Sequence, residues 1–435
     1  MDILRDDIKK LFGHYLVASV GSALVVSIYS FVDTIAVGQS VGPMGTAAIA
    51  AINPIFGLMV FLAVLCGVGG AVPMSVARGE GREEKAHAMF TAAVILMTVI
   101  GLIMWILIWI FNEPMLRLFG ANDETMPYVL DYSMWLIYFF PAFMASTFLS
   151  AFLRNDNAPD LAMKAVVAGG VLNMFGDWFL CFPMDMGMTG AAIATVAGSC
   201  LQVLVMLLHF RSKNCGLKFV MPRKPIKAFS KILRIGFGSG VLDLGTVALA
   251  IIINNQIISY GSVAALSVYG VVGTVGQLCQ AIYRGVGQAL QPLSSLNFGA
   301  GKKDRIREAY RLSVISVVVI SIIMTLIGEL FPIEITRLFI DATPEVLSEA
   351  PMIYRIYFLA FLFMGMNVLS TYFLQSVMRD RLSMTVALLR SIVLTGILLI
   401  ILPVWFGLAG VFAAIPLSEL LVMLLAVRFD RSALK

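Results

Sequence analysis

Four residues in the first half of this 435-residue chain carry side chains that could gather around a small cation. Asp33 lies inside one apolar stretch, SIYSFVDTIAVG, and Asp177 inside another, VLNMFGDWFL. Asn173 precedes Asp177 by four residues, so on a helix their side chains share a face. Thr195 adds a hydroxyl from a third apolar stretch. Two carboxylates, an amide oxygen and a hydroxyl make an oxygen-only set suited to a hard cation such as Na⁺. The same carboxylates could equally relay a proton. An ionisable side chain at the centre of a membrane helix costs about 2.5–3.5 kcal/mol on insertion scales, so function is the default reading for each aspartate. The structural alternative is that each one caps or hydrogen-bonds a broken helix. Thr195 alone would be ordinary glue between helices.

Two further acids are candidates for substrate binding or for coupling in the second half. Asp243 reads equally as a functional group or as packing. Glu419 could reach a cavity, though a structural pair with Arg390 or Arg355 is the simpler expectation. His14, His87 and His209 show no metal-ligand spacing and are read as structural. The five cysteines form no CxxC pair and are read as reduced, small hydrophobes. No cofactor is expected. Gly299-Ala300-Gly301-Lys302-Lys303 fails the phosphate-loop rule, because position 296 is leucine and no Ser or Thr follows the lysine. Any driving energy must then come from an ion gradient.

The elements that position these groups must be membrane helices. Sixty per cent of the residues are apolar and only 13% charged, against roughly 25% charged in soluble proteins. Mean hydropathy is +0.92. That composition excludes a secreted disulfide scaffold, a nucleic-acid-binding domain and a disordered hub. A net charge of +5 is too small to imply a polyanion partner. Crossing the hydrocarbon takes about 20 apolar residues. Twelve runs qualify: 13–37, 46–72, 88–111, 131–153, 162–183, 187–210, 235–260, 263–288, 310–331, 352–376, 384–404 and 406–427. They are continuous rather than alternating, which excludes a β-barrel. The first follows a polar start and is long enough to span, so it reads as a retained helix rather than a cleaved signal. With both termini cytoplasmic, 28 of the 31 basic residues fall on the cytoplasmic side, leaving only Arg117, Arg337 and Arg355 outside.

The halves repeat. GVGGAVPMSVARGEG at 67–81 resembles GVGQALQPLSSLNFGAG at 285–301, each at the end of the second run of its half. Ile137-Tyr138-Phe139 matches Ile356-Tyr357-Phe358 at an offset of 219. Leu149-Ser150 matches Leu369-Ser370, and Gly187 and Gly190 match Gly407 and Gly410, at 220. The expected fold is an all-α integral membrane protein of twelve transmembrane helices in two pseudo-symmetric six-helix lobes. The divisions are an N-lobe over 1–214, a basic cytoplasmic connector over 215–234, partly an amphipathic surface helix, and a C-lobe over 235–435. Repeats of this kind mark secondary transporters with sites near the midplane.

In order along the chain, FVDTIAVGQSVGPMGTAAIAAINP, PMSVARGEGREEKA, LRLFGA, FLRNDNAPDLAM, GMTGAAIA and QPLSSLNFGAGKKDRIREA resemble segments of the multidrug and toxic compound extrusion (MATE) transporters, nearer their DinF- and MepA-like branch than the NorM branch. The resemblance covers nearly the whole chain. It implies a V-shaped pair of lobes, rocker-switch exchange, and export of amphipathic organic cations against Na⁺ or H⁺. It also implies a multi-pass monomer in the bacterial inner membrane. The family's N-lobe cation site matches Asp33, Asn173, Asp177 and Thr195, and Asp243 falls where many members carry an acid. The run 352–376 lacks the acid of NorM-type members, so coupling is expected through the first lobe. The alternative is a lipid-linked oligosaccharide flippase of the same superfamily, which would need a strongly basic cavity that these spans do not supply. A major-facilitator carrier would need a GxxxDRxGRR-like signature where this chain has ARGEGREEKA. A membrane enzyme would need an aspartate-rich or His-centred cluster.

Overall fold

Lipid offers no hydrogen-bond partners, so a chain that crosses it must satisfy its backbone internally. The computed structural model does this with helices: sixteen α-helices and no strand among the described residues. Those are residues 2–340 and 343–435; the side chains at 243, 244 and 246–248, and with them the candidate Asp243, lie outside the described residues. The first half holds α1 (Ile8–Ser40), α2 (Pro43–Gly79), α3 (Glu83–Ile110), α4 (Asn112–Leu118), α5 (Met126–Tyr138), α6 (Phe140–Asn155), α7 (Pro159–Cys181) and α8 (Gly187–Leu207). The second holds α9 (Pro225–Tyr260), α10 (Val263–Gly299), α11 (Lys303–Leu330), α12 (Pro332–Phe339), α13 (Pro344–Phe358), α14 (Phe361–Ser376), α15 (Asp380–Leu388) and α16 (Leu394–Leu434). A π-helical turn, Leu389–Val393, joins α15 to α16.

Among the described residues, seven helical stretches are by themselves long and apolar enough to cross a bilayer, and nine if two bent pairs each make one span. The twelve expected runs exceed nine at three places. The stretch Asp380–Leu434 counts once, yet it breaks at Gly407, whose φ of 57° and ψ of −139° are not helical. α7 falls short because it carries Lys164, Asn173 and Asp177, two of which are the candidate cation ligands. α9 contains the side chains outside the description. The outward faces remain apolar: on α3, Ile103, Ile106, Trp109 and Ile110 are exposed while Phe90 and Ala93 are buried. A helix apolar on both faces suits lipid rather than water.

The bent pairs have identifiable causes. α5 and α6 meet at 58°. Pro141 at the start of α6 has no N–H to offer the carbonyl of Ile137. The indole of Trp105 donates to that carbonyl instead, at 2.6 Å. α13 and α14 meet at 40°. There the Thr325 hydroxyl donates to Phe358 O at 3.1 Å and Tyr283 donates to Phe361 O at 3.2 Å. The backbone repeats as the sequence does. Left-handed φ values recur at Gly81 and Gly301 (74° and 70°), Asn157 and Met378 (59° and 60°), and Gly187 and Gly407 (51° and 57°).

Packing groups the chain into two compact units, Val17–Gly240 and Asp2–Leu16 with Val241–Lys435. In the first, α2 packs on α3, α5 and α6, and α7 pairs with α8. In the second, α10 packs on α11, α13 and α14, and α14 packs on α16. The first boundary falls at 240 because the opening turns of α9 rest on α2: a Cβ on Gly236 would lie 1.9 Å from Leu65 O, and one on Gly69 2.2 Å from Ile232 O. Residues 2–16 join the second unit because Lys302 donates to Leu4 O (2.8 Å) and Arg305 to Ile3 O (2.8 Å) and Asp6 O (2.6 Å). Lys303 donates to Lys435 O (2.7 Å), so both chain ends meet one turn of this unit.

The basic connector is helical over only part of its length. It is irregular over 212–224 and helical only from Pro225, where it continues into the seventh span. Pro222 cannot continue a helix. The stretch before it is fastened instead: Gly216 N donates to Asp156 Oδ2 (2.8 Å) and Val220 N to Thr91 Oγ1 (2.8 Å).

The close α2–α9 approach makes a prediction. Gly236→Ala should destabilise the protein by about 1–3 kcal/mol through overpacking. Gly273→Ala on α10, with nothing within 4 Å of the new Cβ, should be neutral or stabilising by about 0.5–1 kcal/mol. Thermal unfolding of the two purified variants checks the contrast, and equal unfolding temperatures would refute it.

Candidate cation site

The site begins with the α7–α8 hairpin. Gly169 and Gly198 face each other so closely that a Cβ on either would lie within 2.6 Å of the other's carbonyl oxygen. Small residues let membrane helices approach where larger ones would hold them apart. That approach brings Asn173 and Asp177 of α7 against Thr195 of α8. α1 contributes Asp33, and α5, just before the Pro141 break, contributes Tyr132.

The four expected residues come together. Asn173 Nδ2 donates to Asp177 Oδ1 at 3.4 Å and to Thr195 Oγ1 at 3.2 Å. Thr195 Oγ1 donates to Asp33 Oδ1 at 3.3 Å. Tyr132 donates its phenolic proton to Asp33 Oδ2 at 3.3 Å, and its oxygen lies 3.4 Å from Thr195 Oγ1. Asp33 is 8% exposed, Asn173 2% and Asp177 not at all. These bonds are at the long end of the hydrogen-bonding range, so the oxygens are near one another without being drawn tight.

Two acceptors inside the pocket have no donor: Asn173 Oδ1 and Asp177 Oδ2. Neither carboxylate has a basic partner among the described residues. A buried carboxylate with neither cation nor donor is costly, by several kcal/mol. A bound Na⁺ or a proton would supply what is missing, and the oxygen-only donor set fits either.

Tyr132 was not among the residues singled out by sequence. Its only signal is a hydroxyl in an apolar run, and that run's orientation depends on the bend after Tyr138. The repeat does not carry the same residue types into the second half. At the 220-residue offset, Ile253, Val393, Ile397 and Ile415 stand where the first half has Asp33, Asn173, Asp177 and Thr195.

Glu419 is taken up structurally. Its Oε1 accepts from Arg390 Nη2 at 2.6 Å and its Oε2 from Asn367 Nδ2 at 2.6 Å, with both charged side chains nearly fully buried. Arg390 rather than Arg355 is the partner, because the π-helical turn carries it. Both oxygens of the Glu419 carboxylate are thus engaged within the protein.

His209 is structural too, in a way its sequence position does not reveal. Its Nε2 lies 2.6 Å from Asp156 Oδ2, while Arg78 Nη1 donates to Asp156 Oδ1 at 2.6 Å and Arg78 Nη2 to Gly216 O at 2.9 Å. Cys215 lies close enough to complete a three-ligand set, with ligand atoms within 4.8 Å of one another. The guanidinium already neutralises the carboxylate, so the cluster works as a clasp on the connector.

The MatE family model matches residues 18–179 and 242–402, one match in each half and together well over half of the chain. The chain belongs to the MatE family. Among curated relatives, it is 24% identical over 425 residues to the multidrug export protein MepA of Staphylococcus haemolyticus, covering 97% of this chain and 93% of that protein. It is 23% identical over 428 residues, with the same coverage, to MepA of Staphylococcus aureus strain MRSA252. Among solved structures, a MATE in complex with MaL6 superposes with a TM-score of 0.92 at 20% identity, over 99% of this chain and 97% of that one. The outward-facing conformation of a multidrug resistance MATE family transporter of the MOP superfamily gives 0.92 at 21%, over 100% and 98%. The motif resemblance and the all-helical MATE fold are thereby borne out, and this MatE protein is a multi-pass membrane protein.

Proposed function

We propose that this MatE protein is a secondary active exporter of amphipathic organic cations, driven by inward movement of Na⁺ or H⁺ through the first-half pocket. The observation that carries the reading is the buried pair Asp33 and Asp177, bridged by Thr195 and Asn173 and left without a basic partner. In the outward-open state the small cation binds there, neutralises the pocket and disfavours the cationic guest, which leaves. A rocker-switch exchange of the two lobes then opens the site inward, the ion departs, and the vacated carboxylates favour a new guest. Only such a difference in affinity between states can bias the exchange. Names among the relatives, multidrug export protein MepA in particular, support the substrate class. The reading includes a bacterial inner membrane location, cytoplasmic termini and a monomeric unit.

The deciding experiment is ethidium transport in proteoliposomes with Na⁺ and pH gradients imposed independently. One of the two gradients should drive uphill transport, and the other should not be needed. Equal transport with both gradients collapsed would remove the exchanger reading. The lipid-linked oligosaccharide alternative has no supporting observation here, since the pocket is acidic rather than basic.

A further inference from the structure

Another buried carboxyl group lies at the end of the second unit where both chain ends meet. Asp430 sits three residues beyond the twelfth apolar run, near the end of α16, and is 1% exposed. Its Oδ2 accepts from the Tyr310 hydroxyl of α11 at 2.7 Å and from the Ser370 hydroxyl of α14 at 2.5 Å. Its Oδ1 has no partner. The charged groups at this end of the surrounding elements are Lys303, Asp304, Arg305, Arg307, Glu308 and Arg311 on α11, Asp380 and Arg381 on α15, and Arg428 and Arg431 on α16 itself. None of them forms an ion pair with Asp430 among the described residues. Arg307, for instance, is spent on Asp304 and on Leu434 O.

The first half fills the same place with aromatic rings. Gly81 and Gly301 share a left-handed φ and each opens a helix two residues later, so Phe90 corresponds to Tyr310 at the offset of 220. Gly187 and Gly407 fix the same register for the last helix of each half, so Phe210 corresponds to Asp430. Phe90 and Phe210 pack with ring centroids 6.2 Å apart. Ser150, the counterpart of Ser370, accepts from Arg154 at 2.6 Å. Packing at this point therefore needs no carboxyl group, yet the second half buries one at a desolvation cost.

We propose that Asp430, with Tyr310 and Ser370 as its hydroxyl donors, is a proton-binding site at this end of the second half, separate from the Asp33–Asp177 pocket. A proton from water adds to Oδ1, the oxygen without a partner, and removes the uncompensated charge. The two hydroxyls continue to donate to Oδ2. The two carboxyl oxygens and two hydroxyls are too few to enclose a metal ion such as Ca²⁺, which takes six to eight. Access is short, because Arg431 and Ser432 next along the helix are exposed. The site itself stands independently of the exporter reading; only its effect on transport rests on that reading.

The test is infrared titration of the purified full-length protein across neutral pH, in wild type, Asp430→Asn and Tyr310→Phe. The expected result is a carboxylic C=O band that titrates in wild type and is missing in Asp430→Asn. Tyr310→Phe, which copies the first half's own Phe90, should move the midpoint upward by about one pH unit, because losing a donor to the carboxylate favours the neutral form. Persistence of the same band in Asp430→Asn overturns the proposal. Should that variant fail to fold, an unmoved midpoint in Tyr310→Phe overturns it equally. In proteoliposomes, Asp430→Asn should flatten the dependence of ethidium export on pH at this face. A titrating band in protein that transports under no gradient would uphold the proton site and discard the exporter reading instead.

Discussion

Asp33→Asn is expected to abolish ethidium export while leaving membrane insertion and folding intact. The substitution is nearly isosteric, and the new amide oxygen can still accept from Tyr132 or Thr195, which both donate to Asp33. What disappears is one of two negative charges in a pocket that has no basic side chain. Without that charge the pocket loses a ligand for the coupling cation, and the coupled rate should fall to background. Efflux from energised vesicles measures the rate, and thermal unfolding of the purified variant checks the fold. An Asp33→Asn protein that clears ethidium at the wild-type rate would show that coupling does not run through this residue. Since isoleucines and a valine stand at the four matching positions of the second half, the repeat supplies no copy of these residues to mask the loss.

The second large effect is expected at the buried ion pair of the second half. Arg390→Met should destabilise the protein by about 3–5 kcal/mol, because Glu419 keeps its charge in a dry site with only the Asn367 amide to meet it. The double variant Arg390→Met/Glu419→Leu should recover most of that loss, since replacing both members removes the unpaired charge. The local backbone supports the comparison. Thr395 donates to Arg390 O at 2.5 Å and lies 2.8 Å from Ser418 Oγ, so the π-helical turn is held apart from the ion pair itself. Thermal unfolding of the single and double variants gives the result. A single variant that costs less than about 1 kcal/mol would put the pair in the class of weak surface bridges. The double variant should retain ion-driven export, as expected if Glu419 is structural.

The sequence was informative wherever the physics is local. An apolar run of span length reads as a membrane helix because nothing else satisfies its backbone in lipid. Asp33 and Asp177 stood out because a charge in such a run is costly wherever it faces. The i, i+4 spacing of Asn173 and Asp177 fixed a shared face before any neighbour was known. The repeat was legible too, and the paired left-handed glycines show that the offset describes backbone as well as composition.

What the sequence left open depends on how helices are rotated against one another, and helices apolar on every face give little sign of that rotation. Glu419 had two candidate partners, and the π-helical turn chose Arg390. Tyr132 entered the pocket only because Pro141 breaks the fourth span and Trp105 secures the freed carbonyl. Asp156, His209 and Arg78 are far apart in sequence and meet because three helix ends and the connector converge. The connector's charges suggested a helix over part of it, and its prolines and the Asp156 clasp decided which part is irregular. The sequence by itself thus determined the solvent, the helices, the duplication and which polar residues of the first half meet in one pocket, since each follows from the cost of placing a residue in lipid. Tertiary structure alone decided which polar groups are paired and which are left with an unfilled valence for a cation, because that depends on the rotation and close approach of helices that glycine pairs and proline breaks allow.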